Sequence, residues 1–346
     1  MTVSVPGRVN LIGEHIDYHG LPVLPMAIQR RVTIAFQPVG DHSVSATSPD
    51  YGARSFQLDD AVPFASGDWG NYLKAAARLV TRRWILSKGI VASIDSDLPS
   101  AAGLSSSSAL MTGVALALLR ANNIEPTVEE LMEVLPEGEQ FVGTRGGGMD
   151  HAAVLAARPG CALLVHFDPF RYEPIPIPLG WTFLVAHSLT HAQKSGAVRE
   201  QYNVRREAGS SAFRKGGKGL TDQERNAYLH VTSEARRVEA ALKALRQDHI
   251  EEFGSLLSTS HASLRDQLDV SNPTLDELVE CAQESGVLGA RVTGAGFGGC
   301  VLVLGRTADR DRVRARLIDR FYRSRSGFVE SKHLIDVVPS AGALYV

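Results

Sequence analysis

The hydrophobic and polar positions in the first half of the chain follow two different periods. Residues 23–37 (VLPMAIQRRVTIAFQ) are rich in β-branched side chains, and apolar and polar positions alternate in residues 90–98 (IVASIDSDL), so both segments predict strands. Helical periodicity predicts helices over residues 70–88, 107–121 and 127–141. Thr127 and Glu130 stand at capping-box spacing at the start of the last of these helices.

The second half begins after a proline-rich stretch, residues 169–180 (PFRYEPIPIPLG), which is followed by the strand-like sequence WTFLVAHSL. Beyond it the pattern predicts helices over 222–246, 248–268 and 273–285 and a strand over 300–305. The polar segment 214–224 (RKGGKGLTDQE) is interpreted as an exposed loop. The proline cluster predicts a domain boundary near residue 175.

Strands and helices are mixed along the chain, so the predicted fold class is α+β. A chain of 346 residues is too long for one modest hydrophobic core, which favours two domains with a binding site in the cleft between them. We expect these domains to span residues 1–175 and 176–346.

The composition excludes several classes of protein. The formal net charge is −2 and Lys and Arg are scattered, so no broad basic surface is expected for nucleic acid. No apolar stretch reaches the ~18 residues of a membrane helix, and the N-terminus lacks the apolar core of a signal peptide. Three widely spaced cysteines without a CxxC pair indicate a reducing cytoplasm. We expect a monomer or weak oligomer without nucleic-acid or membrane partners.

A serine-rich loop, residues 99–110 (PSAAGLSSSSAL), leads directly into a predicted apolar helix. The free N–H groups of a helix N-terminus, the positive end of the helix dipole and several hydroxyl groups form an anion site suited to phosphate. The alternative is a serine N-cap on a buried helix, but four consecutive serines after Gly103 favour phosphate binding. No GKS or GKT sequence is present, which excludes a Walker-type P-loop.

Two glycine-rich loops are less decisive. Residues 292–305 (VTGAGFGGCVLVLG) satisfy GxGxxG, but we expect this loop to follow a helix and open a strand, whereas a Rossmann loop follows a strand and opens a helix. Tight packing and close approach to a ligand explain its glycines equally well. In residues 143–157 (GTRGGGMDHAAVLAA), Asp150 stands at the start of an apolar helix, where an N-cap is the simplest interpretation.

Polar side chains are concentrated near the N-terminus in residues 7–20 (GRVNLIGEHIDYHG), which are expected to lie outside regular helices and strands. The apolar Val9, Leu11 and Ile12 indicate that this segment is anchored in the protein, so its carboxylates and imidazoles can face a site. Carboxylates beside a histidine suit a ligand with many hydroxyl groups, because each oxygen can accept a hydrogen bond.

These segments resemble those of the galactokinase branch of the GHMP kinases along nearly the whole chain. GRVNLIGEHIDYHG is close to the galactokinase signature, GLSSSSAL is similar to the family's phosphate loop, and ARVTGAGFGGC resembles its third glycine-rich motif. WGNYLKAAARL, EQYNVRREAG and HASLRDQLDVSNPTLDELV also look like galactokinase segments. The resemblance implies a two-domain fold, with an N-terminal ribosomal protein S5 domain 2-like unit and a C-terminal ferredoxin-like α/β unit.

The resemblance also implies an activity and the residues that perform it. The terminal phosphoryl group of ATP would pass, with Mg²⁺ as cofactor, to the anomeric hydroxyl of galactose to form galactose 1-phosphate. Asp150 would face the reacting hydroxyl, with Arg8 beside it. The implied sugar-binding residues are Glu14, His15, Asp17, Asp150 and Tyr202. The implied nucleotide-binding residues are Trp69, Gly103, Leu104, Ser105, Ser106, Ser107 and Ser108. Ser107 and Glu139 would bind Mg²⁺, with Glu137 as the alternative to Glu139.

The chain departs from an ordinary galactokinase in the loop that carries Asp150. This loop reads GTRGGGMDH, whereas galactokinases have a cysteine- and proline-containing version ending in MDQ, and the triple glycine is more like N-acetylgalactosamine kinase. Ser108 replaces a usual alanine, and His151 a usual glutamine. N-acetylgalactosamine and galacturonic acid are therefore alternatives to galactose. A sugar sensor without activity is a further alternative, although Arg8, Ser107 and Asp150 are all present.

Overall fold

The computed structural model describes residues 1–60, 62–99, 102–143, 146–190 and 196–346. Residues 100–101 of the serine-rich loop and residues 144–145 of the loop before Asp150 lie outside this description. Every helix among the described residues is too short or too polar to span a lipid bilayer.

The described strands form a six-stranded sheet, a four-stranded sheet and a separate hairpin. The strands are β1 (Thr2–Ile12), β2 (Leu24–Val39), β3 (Ser43–Ser48), β4 (Gly52–Gln57), β5 (Gly89–Ser96), β6 (Cys161–Phe167), β7 (Phe170–Pro176), β8 (Trp181–His187), β9 (Gly289–Thr293), β10 (Cys300–Arg306), β11 (Leu334–Val337) and β12 (Leu344–Tyr345). The larger sheet has the order β12-β1-β2-β5-β3-β4 and is antiparallel except between β3 and β5. The smaller sheet, β11-β8-β10-β9, is antiparallel throughout, and β6 pairs with β7.

Helices cover these sheets. They are α1 (Gly70–Arg83), α2 (Ser106–Ala121), α3 (Val128–Val134), α4 (Gly138–Phe141), α5 (Met149–Ala156), α6 (Gly196–Arg214), α7 (Asp222–Arg246), α8 (Ile250–Asp266), α9 (Pro273–Glu284), α10 (Arg310–Leu317) and α11 (Glu330–His333). α2 packs against α1, α5, β1 and β2, and most of its side chains are buried. An apolar helix with neighbours on several sides is held rigidly, so the start of α2 is a firm support for a site.

The two halves of the chain meet at β1. α7 and α8 pack against each other and both contact β1, and β12 at the end of the chain pairs with β1 in the larger sheet. β1 is buried along almost its whole length, from Val3 to Ile12. Polar side chains on β1 therefore lie inside the protein and need partners there.

The predicted α+β class is confirmed, as are the strands at β2, β5 and β10 and the helices at α2, α7, α8 and α9. The expectation that residues 7–20 lack regular structure is wrong in part, because residues 7–12 belong to β1. Polar Arg8 and Asn10 alternate with apolar Val9 and Leu11, which is typical of a strand, and both sets of side chains are buried because both faces of β1 are covered.

Two predicted helices are shorter than expected. α1 ends at Arg83 rather than at residue 88, since Asn122 accepts hydrogen bonds from the backbone N–H groups of Ser87 and Lys88 in an extended segment. The predicted helix 127–141 divides into α3, a 3-10 turn and α4, because Pro136 cannot donate the hydrogen bond that a continuous helix requires.

Three other features differ from the sequence-based expectations. α6 was not predicted, since polar, charged and small residues make up most of its sequence and large apolar residues are few. The segment 214–224 is a loop only as far as Thr221, which caps α7, and Glu224 in the first turn is buried. The glycine-rich loop before β10 follows the strand β9 rather than a helix, so the two strands form an antiparallel pair. No helix follows the loop directly, and the exclusion of a Rossmann motif stands.

Candidate active site

A cleft of about 440 Å³ lies between the two halves of the chain, a volume suited to small-molecule ligands. Its walls come from the turn after β1, the starts of α2, α5 and α6, and the loop between β9 and β10. The aromatic side chains of Tyr51, Trp69 and Tyr72 line one part of it. The Trp69 indole is held by a 3.0 Å hydrogen bond from Nε1 to the carbonyl oxygen of Tyr51.

Arg8 on β1 and Asp150 on α5 form an ion pair at the wall of the cleft. Arg8 Nε and Nη2 each lie 2.7 Å from Asp150 Oδ1, and Arg8 Nη1 donates to the carbonyl oxygen of Gly103 at 2.6 Å. Ser105 Oγ donates to Asp150 Oδ2 at 2.5 Å. The carboxylate is therefore held from two sides, by a strand and by the serine-rich loop.

The interpretation of Asp150 as a helix N-cap is wrong. The N-cap position of α5 is Gly148, and Asp150 is the second residue of the helix. No side chain caps the helix by a hydrogen bond. Asp150 lines the cleft instead, close to the N-terminal end of α5, where the helix dipole favours a negative charge.

The serine-rich loop presents part of its length to the cleft. Gly103, Ser105, Ser106 and Ser107 line the cleft at the N-terminus of α2. Leu104 and Ser108, which the sequence also assigned to nucleotide binding, are buried behind the loop and do not line it. The carbonyl oxygen of Leu104 accepts the backbone N–H of Arg8 at 3.1 Å, so this residue joins the loop to β1.

The two candidate magnesium carboxylates occupy different environments. Glu139 on α4 lines the cleft, and its Oε1 accepts a hydrogen bond from Ser108 Oγ at 3.2 Å. Glu137 is exposed and pairs with Arg82 on the surface at 3.0 Å. The structure therefore places Glu139, and not Glu137, beside the serine-rich loop.

The turn after β1 carries two of the predicted sugar-binding residues, Glu14 and His15, into the cleft. Glu14 is buried, and its carboxylate accepts hydrogen bonds from Asn10 Nδ2 at 2.5 Å and from the backbone N–H of Gly294. Arg291 Nη2 lies 3.3 Å from the same carboxylate. Burial raises the pKa of Glu14, while the nearby Arg291 acts in the opposite direction.

His15 is a neutral imidazole of defined orientation. Burial lowers the pKa of His15 to about 3. Nε2 lies 3.1 Å from the carbonyl oxygen of Ala295, which can only accept, so Nε2 carries the proton. Nδ1 then accepts a hydrogen bond from the Tyr18 hydroxyl at 3.0 Å. The ring of Tyr202 lies 5.3 Å from that of His15, which places this α6 residue in the same wall.

Asp17 lies in a 3-10 turn, Asp17–His19, opposite the loop that carries Asp150. Its Oδ2 accepts hydrogen bonds from the backbone N–H groups of Gly147 at 3.2 Å and Met149 at 3.3 Å. A side chain at position 147 would meet the backbone of Asp17 and Tyr18, which explains one glycine of the triple-glycine sequence. Burial, and then the charge of Asp150, raise the pKa of Asp17 to about 7.

The sequence left two explanations open for the glycines of the loop between β9 and β10, tight packing and close approach to a ligand. The structure is consistent with both. Gly294 packs against Gly103 of the serine-rich loop, because a Cβ at position 294 would lie 2.7 Å from the carbonyl oxygen of Gly103. Gly294 also lines the cleft and donates its N–H to Glu14. The loop thus joins the turn after β1 to the serine-rich loop.

Several residues beside the site were missed by the sequence analysis. Arg291 on β9 is fully buried next to Glu14, and His230 and Glu234 on α7 contact the backbone of the turn after β1. Arg199 on α6 lines the cleft. Arg291 belongs to the glycine-rich segment ARVTGAGFGGC, but no spacing in the sequence relates it or the other three residues to the turn, because more than 180 positions separate them from it.

Three protein-family models match separate regions of the chain, which together make up more than half of its length. The model described as "Galactokinase galactose-binding signature" matches residues 1–38. "GHMP kinases N terminal domain" matches residues 71–158, and "GHMP kinases C terminal" matches residues 241–323. The first match contains Arg8 and the turn with Glu14.

Full-length relatives agree with these matches. A galactokinase of Chloroflexus aggregans is 35% identical, over 98% of this chain and 91% of that protein. A galactokinase of Fusobacterium nucleatum is 30% identical, over 97% of this chain and 93% of that protein. The chain belongs to the galactokinase family.

Solved structures extend the galactokinase comparison to three dimensions. Lactococcus lactis galactokinase, solved in complex with galactose, matches with a TM-score of 0.91 and 26% identity over 100% of this chain and 95% of that one. Methanococcus jannaschii mevalonate kinase shares the GHMP kinase fold with a TM-score of 0.69 and 19% identity, over 99% of this chain and 98% of that one. As a member of the galactokinase family, the protein is an ATP-dependent sugar kinase.

Proposed function

We propose that this galactokinase-family enzyme transfers the terminal phosphoryl group of ATP to the anomeric hydroxyl of galactose and forms galactose 1-phosphate. The observation that carries the proposal is the position of Asp150, which lies between the turn after β1 and the serine-rich loop at the N-terminus of α2. A carboxylate at this junction can meet a sugar hydroxyl on one side and a phosphate on the other.

In this proposal Asp150 orients the anomeric hydroxyl and finally accepts its proton. The hydroxyl oxygen forms a bond to the terminal phosphorus while the bond from that phosphorus to the bridging oxygen of ADP breaks. Phosphoryl transfer has a loose transition state, so positioning and charge neutralisation matter more than a strong base. The Arg8 guanidinium, at 2.7 Å from Asp150, holds the carboxylate in place and stabilises charge that develops beside it.

Glu14, His15, Asp17 and Tyr202 would form the sugar pocket. The support for this role is their grouping on one wall of the cleft within the matched galactose-binding signature and α6. His15 is neutral and already paired on both nitrogens, so it would shape the pocket together with Tyr202. Among the described residues the backbone N–H groups bound to Asp17 all reach Oδ2, and Oδ1 would accept a sugar hydroxyl.

The phosphates of ATP would bind at the N-terminus of α2, with the base near Trp69. Gly103 and Ser105–Ser107 line the cleft there, and free N–H groups at a helix start favour anions. Leu104 and Ser108 would support this loop from behind, since both are buried outside the cleft wall.

The donors in the cleft fit Mg²⁺. The Glu139 carboxylate and the Ser107 hydroxyl are hard oxygen ligands, and Mg²⁺ uses one or two carboxylates together with phosphates and water. The described residues contain no group of three or more His, Cys, Asp or Glu side chains that could hold a metal alone. We therefore infer that Ser107 and Glu139 hold the ion jointly with ATP, where it would neutralise phosphate charge.

Some properties of the whole chain also remain proposals. We place the two domains at residues 1–175 and 176–346, with β12 returning to the first domain's sheet, and the matched regions 71–158 and 241–323 lie on either side of this boundary. We further propose a cytoplasmic monomer or weak oligomer without nucleic-acid or membrane partners. The net charge of −2 supports the expected absence of nucleic-acid partners, and the free thiols of the three cysteines support the cytoplasmic location.

The test is the release of ADP across a panel of sugars, namely galactose, N-acetylgalactosamine and galacturonic acid. We expect galactose to have the highest kcat/KM. If N-acetylgalactosamine or galacturonic acid is preferred and galactose is the poorest substrate, the assignment to galactose is wrong. If every sugar binds and none is phosphorylated, the protein is a sugar sensor and the kinase proposal fails.

A further inference from the structure

The turn between β1 and Asp17 encloses a buried carboxylate from a distant part of the chain. Gly13 and His15 adopt positive φ angles, 101° and 61°. The backbone N–H groups of Gly13 and Glu14 both point to Oε1 of Glu234, at 2.9 and 3.3 Å. Successive N–H groups in such a turn form a concave site for an anion, and here the protein fills this site itself.

Glu234 belongs to a cluster of four side chains on two helices. His230 and Glu234 lie on α7, and Ser260 and Ser263 lie on α8, so we call it the α7–α8 cluster. Ser260 Oγ on α8 donates to Glu234 Oε1 at 2.8 Å. One helical turn earlier on α7, His230 Nε2 donates to the carbonyl oxygen of Glu14 at 3.0 Å, and its Nδ1 lies 2.7 Å from Ser263 Oγ. The α7–α8 cluster therefore contacts the backbone of Glu14 at both its N–H and its carbonyl group.

The charge of Glu234 strengthens these contacts. Arg237 Nε lies 2.7 Å from Glu234 Oε2, and Glu234 is completely buried. Burial by itself raises the pKa of Glu234, but the surrounding basic side chains and hydrogen bonds lower it to about 2. Glu234 is ionised at neutral pH, and hydrogen bonds to an ionised acceptor are stronger than those to a neutral one.

We propose that Glu234 is a positioning residue for sugar binding: through Gly13 and Glu14 it holds the turn so that Glu14, His15 and Asp17 face the cleft. This inference rests on the proposed role of that turn in binding the sugar. Nucleotide-binding groups at α2 and Trp69 lie on other elements, so the loss of Glu234 affects the sugar and leaves ATP binding unchanged. If Glu234 contributed only to folding, its replacement would not change the sugar KM and the ATP KM differently.

The chain contains a matched control on the same helix. Glu224 of α7 is also a largely buried carboxylate, and it accepts hydrogen bonds from Ser211, Lys215 and the backbone N–H of Thr221. Its partners lie at the junction of α6 and α7 and do not include the turn after β1. Glu224→Gln and Glu234→Gln thus make the same chemical change in comparable networks at different places.

The experiment measures kcat, the KM for the best sugar of the panel and the KM for ATP in both variants, with the thermal midpoint as a check of folding. We expect Glu234→Gln to raise the sugar KM about tenfold or more, as for the loss of one charge-assisted hydrogen bond, with the ATP KM unchanged. Glu224→Gln should leave both KM values unchanged even where it lowers the thermal midpoint.

Equal changes in the two KM values, or an unchanged sugar KM in folded Glu234→Gln, would overturn the inference. If Glu234→Gln does not fold, Ser260→Ala removes one hydrogen bond to Glu234 and should raise the sugar KM severalfold. Ser258→Ala on the same helix is its control, because the Ser258 hydroxyl donates to the carbonyl oxygen of Gly254 within α8. The wild-type panel tests the proposed function independently, since a wild type without sugar kinase activity fails before any variant is compared.

Discussion

Arg8 and Asp150 are joined through a single carboxylate oxygen: Nε and Nη2 of Arg8 both lie 2.7 Å from Asp150 Oδ1. The second oxygen, Oδ2, accepts the Ser105 hydroxyl at 2.5 Å. The arrangement connects β1, α5 and the start of α2 at one point. A substitution at any of these positions therefore disturbs the place where the sugar and the phosphate would meet.

Replacement of Asp150 tests the catalytic proposal. Asp150→Asn keeps the shape of the side chain but cannot accept a proton, so kcat should fall about 10²–10⁴-fold. Nucleotide binding should persist, because asparagine has the same size as aspartate and its side-chain oxygen can still accept the Ser105 hydroxyl. Steady-state kinetics and titration with a non-hydrolysable ATP analogue measure the two effects. Asp97→Asn, at an exposed pair with Arg30, is the control. Substantial turnover by Asp150→Asn would contradict the role of Asp150.

The raised pKa of Asp17, about 7, predicts a dependence of sugar binding on pH. A protonated carboxyl is a weaker acceptor than a carboxylate, so the sugar KM should rise as the pH falls from 8 to 6. Asp17→Asn should have a high sugar KM that changes little with pH. Retention of the wild-type pH dependence in Asp17→Asn would assign the titration to another group, such as Glu14, whose pKa burial also raises.

The raised pKa of Asp17 also makes the stability of the folded protein depend on pH. A fall in pH weakens sugar binding but increases stability. Asp17 ionises near pH 4 in the unfolded chain and near pH 7 in the folded protein, so the folded protein binds the proton more tightly and its stability decreases as the pH rises through this interval. Asp17→Asn should therefore be more heat-stable than wild type at pH 8 and about equal to it at pH 4. Thermal unfolding at both values measures this. Equal midpoints at pH 8 would contradict the raised pKa.

Two neighbouring glutamates provide a matched test of the magnesium site. Glu139→Gln should raise the Mg²⁺ concentration needed for half-maximal activity about tenfold or more, because the variant loses a charged oxygen ligand. Glu137→Gln should behave as wild type, since Glu137 pairs with Arg82 at the surface. Titration of activity with Mg²⁺ at fixed ATP separates the variants. An effect at Glu137 with none at Glu139 would reverse the assignment.

Trp69 is expected to contact the nucleotide base. Trp69→Ala should raise the KM for ATP about tenfold, the cost of one lost aromatic stacking contact, and leave the sugar KM unchanged. Binding of an ATP analogue should also change the intrinsic fluorescence of the protein, and this change should be absent in Trp69→Phe but present in Trp84→Phe. A fluorescence response that follows Trp84 would place the base elsewhere.

Much of the fold and of the chemistry could be predicted from local sequence. The capping box at Thr127 and the bounds of α7 depend on residues within a few positions of each other, and both are found as predicted. The break at Pro136 and the strand nature of residues 7–12 were not foreseen. The pattern of a strand is present in residues 8–11, where polar Arg8 and Asn10 alternate with apolar Val9 and Leu11, but the many polar groups and glycines of residues 7–20 favour a loop when the segment is considered as a whole.

The sequence by itself determined the family and the sets of residues that carry the motifs, since each motif is a contiguous segment whose chemistry is fixed by its own side chains. Only the tertiary structure decided how those sets are arranged. It placed Glu139 rather than Glu137 in the cleft and brought Glu234 to the turn beside Glu14 across 220 positions of sequence. Burial of the polar groups in that turn requires partners, and packing of distant elements, rather than neighbours in sequence, supplies them.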